Sequence, residues 1–266
     1  MKILFSSGTL HQLPLTEVFR LARDAGFDGC DLVINRSLDG PGFKERISEA
    51  QRILPVYSIH APFMKLTTWG THADALRQSI TTARELGIGL VNFHPPSWFH
   101  RELSFYRWFR KMDDFQKELD CGNVLLAIEN MPLIGKRLKL APYLLNDYKD
   151  LIEFGLKKNL YFTFDTTHIA TFDHDTIVAF LSFQKTARLK NIHLSDSQAS
   201  ESHLFPGTGD LPIARLLNTM RRVGYDGLVT LELAPRELPV TEGLLLQSLR
   251  YAVRFLRLHL GKEGYE

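Results

Sequence analysis

Short apolar runs alternate with segments of helical periodicity along the 266-residue chain, and this alternation is the feature that most constrains its fold. Most of the runs are continuously apolar, as strands buried on both faces of a parallel sheet are. The segments between them are long enough to cross back over a sheet as helices. The strand candidates are residues 3–6, 29–34, 56–60, 90–94, 124–129, 161–165, 189–194 and 228–233. The clearest helix candidates are residues 15–25, 73–86, 105–119, 145–154, 213–223 and 242–258.

Eight strand–helix units in a chain of 266 residues match the size of a (β/α)8 TIM barrel. No low-complexity segment divides the chain, so we predict an α/β fold with one TIM-barrel domain over residues 1–266. A doubly wound sheet also fits the alternation, but the barrel accounts better for eight units. Gly26, Gly87, Gly155 and Gly224 each lie between a helix candidate and a strand candidate, where a left-handed helix end is expected.

The composition makes several functional classes less favoured. The chain has 32 basic and 30 acidic side chains and a net charge of +2, so it has no global field that would hold it on nucleic acid or a membrane. The two cysteines, Cys30 and Cys121, are too few for a disulfide framework and favour a reducing compartment. No signal-like segment or apolar run of about 20 residues occurs. We therefore expect a cytoplasmic protein without a membrane partner.

Polar residues stand at or near the ends of six strand candidates. They are His60, His94, Glu129, Asp165, His193 and Glu232, roughly one strand–helix unit apart. Because all strands of such a barrel point the same way, these residues are expected to meet on the face that carries the active site in this fold. Any one of these histidines could equally be an ordinary structural residue, but the complete set is hard to explain in that way.

The chemistry of this set predicts a divalent metal site. Carboxylates and imidazoles are ligands for Zn²⁺, Mn²⁺ and Mg²⁺, and three acids at one mouth would repel each other without a cation. His168 follows Asp165 by three residues, and Glu201 and His203 lie in a predicted loop after the seventh strand. These three residues are candidates for further ligands. Trp98, in the loop after the fourth strand, is a candidate for substrate binding.

Several phrases together resemble the xylose isomerase-like TIM-barrel superfamily, which includes sugar isomerases and epimerases and the endonuclease IV branch. The resemblance spans almost the whole chain and is specific because the phrases occur in the same order and spacing. Its carriers are AGFDGCDL, SIHAPF, NFHPPS, AIENMP, FDTTHIA, NIHLSDS, SHLFPGTGDLP and GYDGLVTLEL.

The resemblance to the epimerase-like members implies a single metal held by a quartet of residues, namely Glu129, Asp165, His193 and Glu232. It also implies that Glu129 and Glu232 act as acid and base on either side of an enediolate, while His60, His94 and His168 contact the substrate. The favoured function is a metal-dependent isomerase or epimerase of a sugar, sugar phosphate or related polyol. The expected partner is a small carbohydrate, and assembly of a homo-oligomer is compatible with this function.

The endonuclease IV branch is the alternative, and it implies three zinc ions and abasic DNA as the substrate. The chain offers a counterpart for every ligand of that branch: His60, His94, Glu129, Asp165, His168, His193, Glu201, His203 and Glu232. It departs from the branch at Glu201, where the branch has Asp, and in a shorter loop between His193 and His203. A lyase or dehydratase on the same scaffold, or a barrel that only binds a metabolite, is a third interpretation. Nucleic acid is therefore the less favoured partner.

Overall fold

The computed structural model describes residues 1–98, 102–135, 139–199 and 201–262. Eight parallel strands form a closed barrel in which each strand pairs with its neighbours along the chain, and the last strand pairs with the first. The predicted TIM barrel is confirmed. The barrel strands are β1 (Lys2–Ser6), β2 (Gly29–Val33), β3 (Val56–His60), β4 (Leu90–Phe93), β5 (Leu125–Glu129), β6 (Tyr161–Asp165), β7 (Leu189–Leu194) and β10 (Leu228–Leu231).

A two-stranded antiparallel hairpin interrupts this pattern between β7 and β10. Its strands are β8 (Asp196–Gln198) and β9 (Glu201–Leu204). The prediction of a loop after the seventh strand is therefore wrong for these residues. The buried carboxylate of Asp196 supports the base of the hairpin, because it accepts hydrogen bonds from the backbone N–H groups of Gly207, Gly209 and Leu211.

Helices surround the barrel and follow its strands. Those within the described residues are α1 (Leu15–Ala25), α2 (Phe43–Ile53), α3 (His72–Glu85), α4 (Leu103–Lys111), α5 (Phe115–Glu118), α6 (Tyr148–Lys157), α7 (Thr166–Ala170), α8 (Thr176–Gln184), α9 (Ile213–Arg222) and α10 (Glu242–Leu260). None of these helices is long and apolar enough to cross a membrane.

Two predicted helices differ from the observed ones by three residues or more, because aspartates cap new helix starts. The candidate 105–119 is divided into α4 and α5, and the Asp114 carboxylate accepts a hydrogen bond from the Lys117 N–H at the start of α5. The candidate 145–154 begins only at Tyr148, after Asp147 has capped α6. A side-chain oxygen that accepts from the first turn stabilises a helix start at that point.

The glycine prediction is confirmed at three positions and wrong at the fourth. Gly26, Gly87 and Gly224 have φ values of 94°, 69° and 69°. Gly155 instead lies buried inside α6, where a Cβ atom would collide with the ring of Phe162 on β6. The left-handed position after this helix is Asn159, with a φ of 57°. Gly155 is therefore required for close helix–strand packing, not for ending the helix.

The two faces of the barrel strands differ in character. Outward residues such as Phe5, Phe93 and Phe164 join the apolar core against the helices. Because side chains alternate along a strand, the residues between them face the barrel interior, and many of those are polar and buried. They are Ser6, Asp31, Ser58, His60, Asn92, Glu129, Thr163, Asp165, Asn191, His193 and Thr230. TIM-barrel interiors are commonly filled by branched apolar side chains, so this interior is unusually polar towards the carboxyl ends of its strands.

Candidate metal centre

The six strand-end residues predicted to meet do meet at the carboxyl-terminal mouth of the barrel. His60, Glu129 and Asp165 are the last residues of their strands, and His193 is the last but one of β7. His94 and Glu232 directly follow β4 and β10. The barrel thus brings together side chains that are widely separated along the chain, and their ligand atoms form three overlapping groups.

The first group is the quartet Glu129, Asp165, His193 and Glu232, in which one ligand atom of each residue lies within 4.8 Å of the others. His193 Nδ1 is 3.2 Å from Glu129 Oε1 and 2.8 Å from Glu232 Oε2. The side chain of Glu232 is 26% exposed, whereas those of Glu129 and His193 are buried. The quartet is therefore open to solvent on the Glu232 side.

The second group contains His60, His94 and the other carboxylate oxygen of Glu129. The two Nε2 atoms lie 3.1 Å apart, and they lie 3.4 Å and 3.6 Å from Glu129 Oε2. The Asn92 side-chain amide also donates to Oε2. Glu129 therefore takes part in two groups, with one oxygen directed to each.

The third group consists of Asp165, His168 and His203. His168 Nδ1 lies 2.8 Å from the backbone oxygen of Asn130, which leaves its Nε2 atom as the available ligand. The rings of His168 and His203 stand edge to face with their centroids 5.4 Å apart. His203 Nδ1 lies 3.3 Å from the hydroxyl of Ser195.

The hydrogen bonds of Asp165 indicate whether these residues suit a bound cation. Its Oδ1 atom accepts from the Thr167 N–H, the Thr167 hydroxyl and the His168 N–H. Its Oδ2 atom is buried and has no hydrogen-bond partner among the described residues. A buried carboxylate oxygen without a donor is costly, and a cation would satisfy it. The mixture of carboxylate oxygens and imidazole nitrogens suits zinc or manganese.

The two glutamates are strongly acidic in this setting. Burial alone would raise the pKa of Glu129, but the charge on His193 and hydrogen bonds from His193 and two further histidines hold it well below its usual value. Burial likewise opposes ionisation of Glu232, but attraction and a hydrogen bond from His193 lower its pKa to about 2. Both groups are therefore carboxylates at neutral pH, which is the form that binds metal.

The histidines respond in different ways to the same charges. Burial lowers the pKa of His193, but attraction to Glu129 and Glu232 outweighs burial and raises it well above its usual value. The pKa of His60 is raised for the same reason, through its contact with Glu129. Burial dominates at His94, whose pKa is lowered. A ligand imidazole must be neutral, so a cation at the quartet would compete with the proton on His193.

Two other predicted site residues, Trp98 and Glu201, are not shown to contribute a side chain to the three ligand groups. Trp98 is 49% exposed, and its ring contacts Tyr106 with the centroids 4.8 Å apart, so it lies outside the three ligand groups. The backbone of Glu201 lies in β9, but its side chain is outside the described part of the chain. Phe63 is closer to the centre, with its ring centroid 5.7 Å from that of His60 and 5.6 Å from that of His94.

Two buried residues next to the ligands were not predicted from the sequence. Asn92 donates to Glu129, and Asp31 approaches His193 from inside the barrel. A signal was present in both cases, because each is a strongly polar residue within a run of apolar strand residues, GCDLV and LVNF. Polar residues in a strand buried on both faces need a partner or a function.

Known proteins share the fold across the whole chain. Residues 19–254 match the sequence profile of a family described as xylose isomerase-like TIM barrel. An uncharacterised protein of Mycobacterium tuberculosis is 25% identical over 293 residues, covering 98% of each protein. A D-tagatose 3-epimerase-like protein superimposes with a TM-score of 0.73 at 20% identity, over 98% of this chain and 99% of that chain. For endonuclease IV from Thermus thermophilus the TM-score is 0.58 at 16% identity, over 96% of this chain and 99% of that chain.

Proposed function

The chain belongs to the xylose isomerase-like TIM-barrel family, and from this premise we propose that it is a metal-dependent isomerase or epimerase of a sugar, sugar phosphate or related polyol. The observation that carries the proposal is the quartet Glu129, Asp165, His193 and Glu232, whose ligand atoms converge within 4.8 Å. These four residues would hold one divalent cation, Mn²⁺, Mg²⁺ or Zn²⁺. When bound, such a cation supplies Lewis-acid polarisation of a substrate carbonyl.

The two glutamates are proposed to transfer protons to and from a ketose. Glu129 ends β5 and Glu232 follows β10, the outer strands of an arc of four neighbours, and His193 lies between them in contact with both. One carboxylate removes a proton from the carbon next to the carbonyl, which leaves an enediolate, and the other returns a proton to it. The charge on His193 keeps both groups weakly basic. Neutral His193, the form that binds metal, would leave them stronger bases.

The remaining histidines are proposed to contact the substrate oxygens. His60, His94 and His168 lie around Glu129, at distances of 3.4–3.6 Å from its oxygens. A cleft continues from His94 and is lined by Phe63, Tyr143 and other residues. Trp98 lies beside this cleft, since the hollow that it lines shares Ser97 and Glu102 with the cleft, and we propose it as a more distant substrate contact.

A second candidate function is favoured by the two additional ligand groups. His60, His94 and Glu129 form one, and Asp165, His168 and His203 form the other. Together with the quartet, these groups could hold up to three cations. An endonuclease IV-like enzyme would use three cations to hydrolyse a phosphodiester in abasic DNA. The near-balanced charge of the chain gives no general attraction to DNA, so we rank this function second.

Metal content and two activity assays on the same protein distinguish these functions. The purified chain would be loaded separately with Mn²⁺, Mg²⁺ and Zn²⁺, and bound metal counted per chain. Ketoses and ketose phosphates would be incubated with it in D₂O and followed by NMR for deuterium at the carbon next to the carbonyl. We expect one tightly bound metal and deuterium incorporation.

Abasic-site DNA would be tested under the same conditions. If the chain binds about three zinc ions and cleaves this DNA, the isomerase proposal is overturned and the endonuclease IV-like function is supported. The absence of both sugar exchange and DNA cleavage, at any metal loading, would contradict both functions. The exposed carboxylate of Glu85, which pairs with Lys44 outside the three ligand groups, offers a control: Glu85→Gln should behave as the unchanged protein in every assay.

A further inference from the structure

Asp31 is a carboxylate in the barrel interior beneath the metal centre. It lies in the middle of β2, is fully buried, and stands in register with Ser6 on one side and Ser58 on the other. The Ser58 hydroxyl donates to Asp31 Oδ1. Asp31 Oδ2 has no hydrogen-bond partner among the residues that the structure describes. One oxygen of this carboxylate is thus held, and the other remains without a donor.

His193 presents the matching unpaired group from across the barrel. Its Nδ1 atom faces Glu129 and Glu232 at the mouth, so the opposite ring nitrogen, Nε2, faces the interior. Nε2 is buried and without a partner in the described chain, and it lies 3.9 Å from Asp31 Oδ2. Because β2 and β7 are separated by two other barrel strands, this approach occurs through the interior and not between paired strands.

A small movement would satisfy both atoms at once. A separation of 3.9 Å exceeds a hydrogen bond by about 1 Å, which rotation of a carboxylate can supply. Leaving a buried polar atom unpaired destabilises the folded state. A carboxylate that accepts a hydrogen bond from Nε2–H also favours the tautomer with its lone pair on Nδ1, because a neutral imidazole carries only one N–H. Nδ1 is the nitrogen that faces the quartet.

We propose that Asp31 is the positioning residue of His193: its Oδ2 atom accepts a hydrogen bond from Nε2–H, orients the ring and leaves the Nδ1 lone pair directed at the cation site. Ser58 assists by holding the other oxygen of Asp31. The inference rests on the proposed role of His193 as a metal ligand. Groups that fix the orientation of ligand histidines in this way commonly change metal affinity by about 10- to 100-fold when removed.

The test is Mn²⁺ binding by isothermal titration calorimetry on the full chain and its variants. Asp31→Asn should bind Mn²⁺ about 10- to 100-fold more weakly, because the amide can present an N–H to Nε2 and favour the other tautomer. Ser58→Ala keeps the carboxylate and should lose less affinity. Thr163→Val is the matched control, since Thr163 is buried in the same interior and its hydroxyl also lacks a partner among the described residues. It should bind as the unchanged protein does.

A second measurement separates positioning from a general loss of structure. In the Zn²⁺-loaded, ¹⁵N-labelled protein, the His193 Nε2–H resonance should be observed downfield and slow to exchange, and Asp31→Asn should shift it upfield while the backbone spectrum is retained. If Asp31→Asn does not fold, both measurements are made on Ser58→Ala instead. A Mn²⁺ affinity and a Nε2–H resonance of Ser58→Ala equal to those of the unchanged protein would then overturn the proposal.

The possible failures are distinguishable. If the unchanged protein binds neither Mn²⁺ nor Zn²⁺, the proposed function fails and the role of Asp31 fails with it. If the unchanged protein binds metal and Asp31→Asn binds it equally well with the same Nε2–H resonance, only the role of Asp31 is overturned.

Discussion

The two ends of the barrel use polar side chains in opposite ways. At the carboxyl-terminal mouth, Asp165 Oδ2 lacks a partner among the described residues, and three groups of ligand atoms converge. At the amino-terminal end, both oxygens of Asp28 are satisfied: one accepts from the Ile3 N–H at 2.7 Å and the other from Arg257 at 2.8 Å. The carboxyl-terminal end is thus suited to bind a ligand, whereas the polar contacts at the amino-terminal end stabilise the fold.

This difference separates function from stability along the barrel axis. Asp28 joins β1 to α10, the first and last major elements of the chain, so its bonds hold the ends of the chain together. The mouth instead collects charges whose mutual repulsion is relieved only by a cation or by protons on the histidines. In TIM barrels generally, polar residues at the mouth serve catalysis and those at the opposite end serve stability.

The largest expected effect is loss of turnover when either glutamate at the mouth is substituted. Glu129→Gln and Glu232→Gln should each lower kcat by about 10²–10⁴-fold, because each removes one partner in proton transfer. The metal-free variants should fold with a lower Tm, because each substitution removes a carboxylate that pairs with the buried charge on His193. Deuterium exchange and thermal unfolding measure the two quantities. Turnover that persists in either variant would remove that glutamate from the acid–base role.

The next largest expected effect is a loss of thermal stability when the metal is removed by a chelator. A cation present at about 100 times its Kd stabilises the folded state by about 2.7 kcal/mol, so its removal with EDTA should lower Tm by roughly 5–10 °C. Scanning calorimetry with and without metal checks this. Glu129→Gln provides the comparison, because a variant with a weakened site should show a smaller difference. An equal difference would mean that the metal binds elsewhere.

The smallest expected effect belongs to the amino-terminal end. Asp28→Asn should lower the free energy of unfolding by about 1–3 kcal/mol, since it weakens a charge-assisted hydrogen bond to Arg257, and should leave turnover unchanged. Burial raises the pKa of Asp28, but the hydrogen bonds from Ile3 and Arg257 outweigh it and lower the pKa below its ordinary value of 3.8. The stabilisation is therefore present above the ordinary pKa and is lost as the pH falls through the lowered pKa.

Urea denaturation over a pH series from neutral to acid measures this contribution as the difference between the unchanged protein and Asp28→Asn. The matched control is Asp226→Asn, because Asp226 occupies the place in GYDGLV that Asp28 occupies in GFDGCD but is exposed. We expect that control to change stability by less than about 0.5 kcal/mol. If both variants lose the same amount, the hydrogen bonds of Asp28 do not account for its effect.

Much of the fold could be predicted because its signals are local. The predicted limits of β3, β6 and β7 coincide with the observed ones, since apolar runs and flanking turns are recognised within a few residues. The meeting of His60, Glu129 and Asp165 at one mouth followed from strand direction alone. Gly155 shows the limit of local signals. A side chain at this position would collide with Phe162 on a neighbouring strand, and the end of its own helix does not require a glycine here.

The sequence by itself determined the barrel, its direction and the residues collected at its mouth, because alternation and strand polarity are repeated in every unit. Only the tertiary structure decided how those residues pair. The phrases around Asp28 and Asp226 look alike, yet one carboxylate is bound and the other is exposed. Asp31 and His193 are far apart in the chain and come within 3.9 Å through the interior. Such pairings depend on register and barrel closure, and these arise only when all eight strands have assembled.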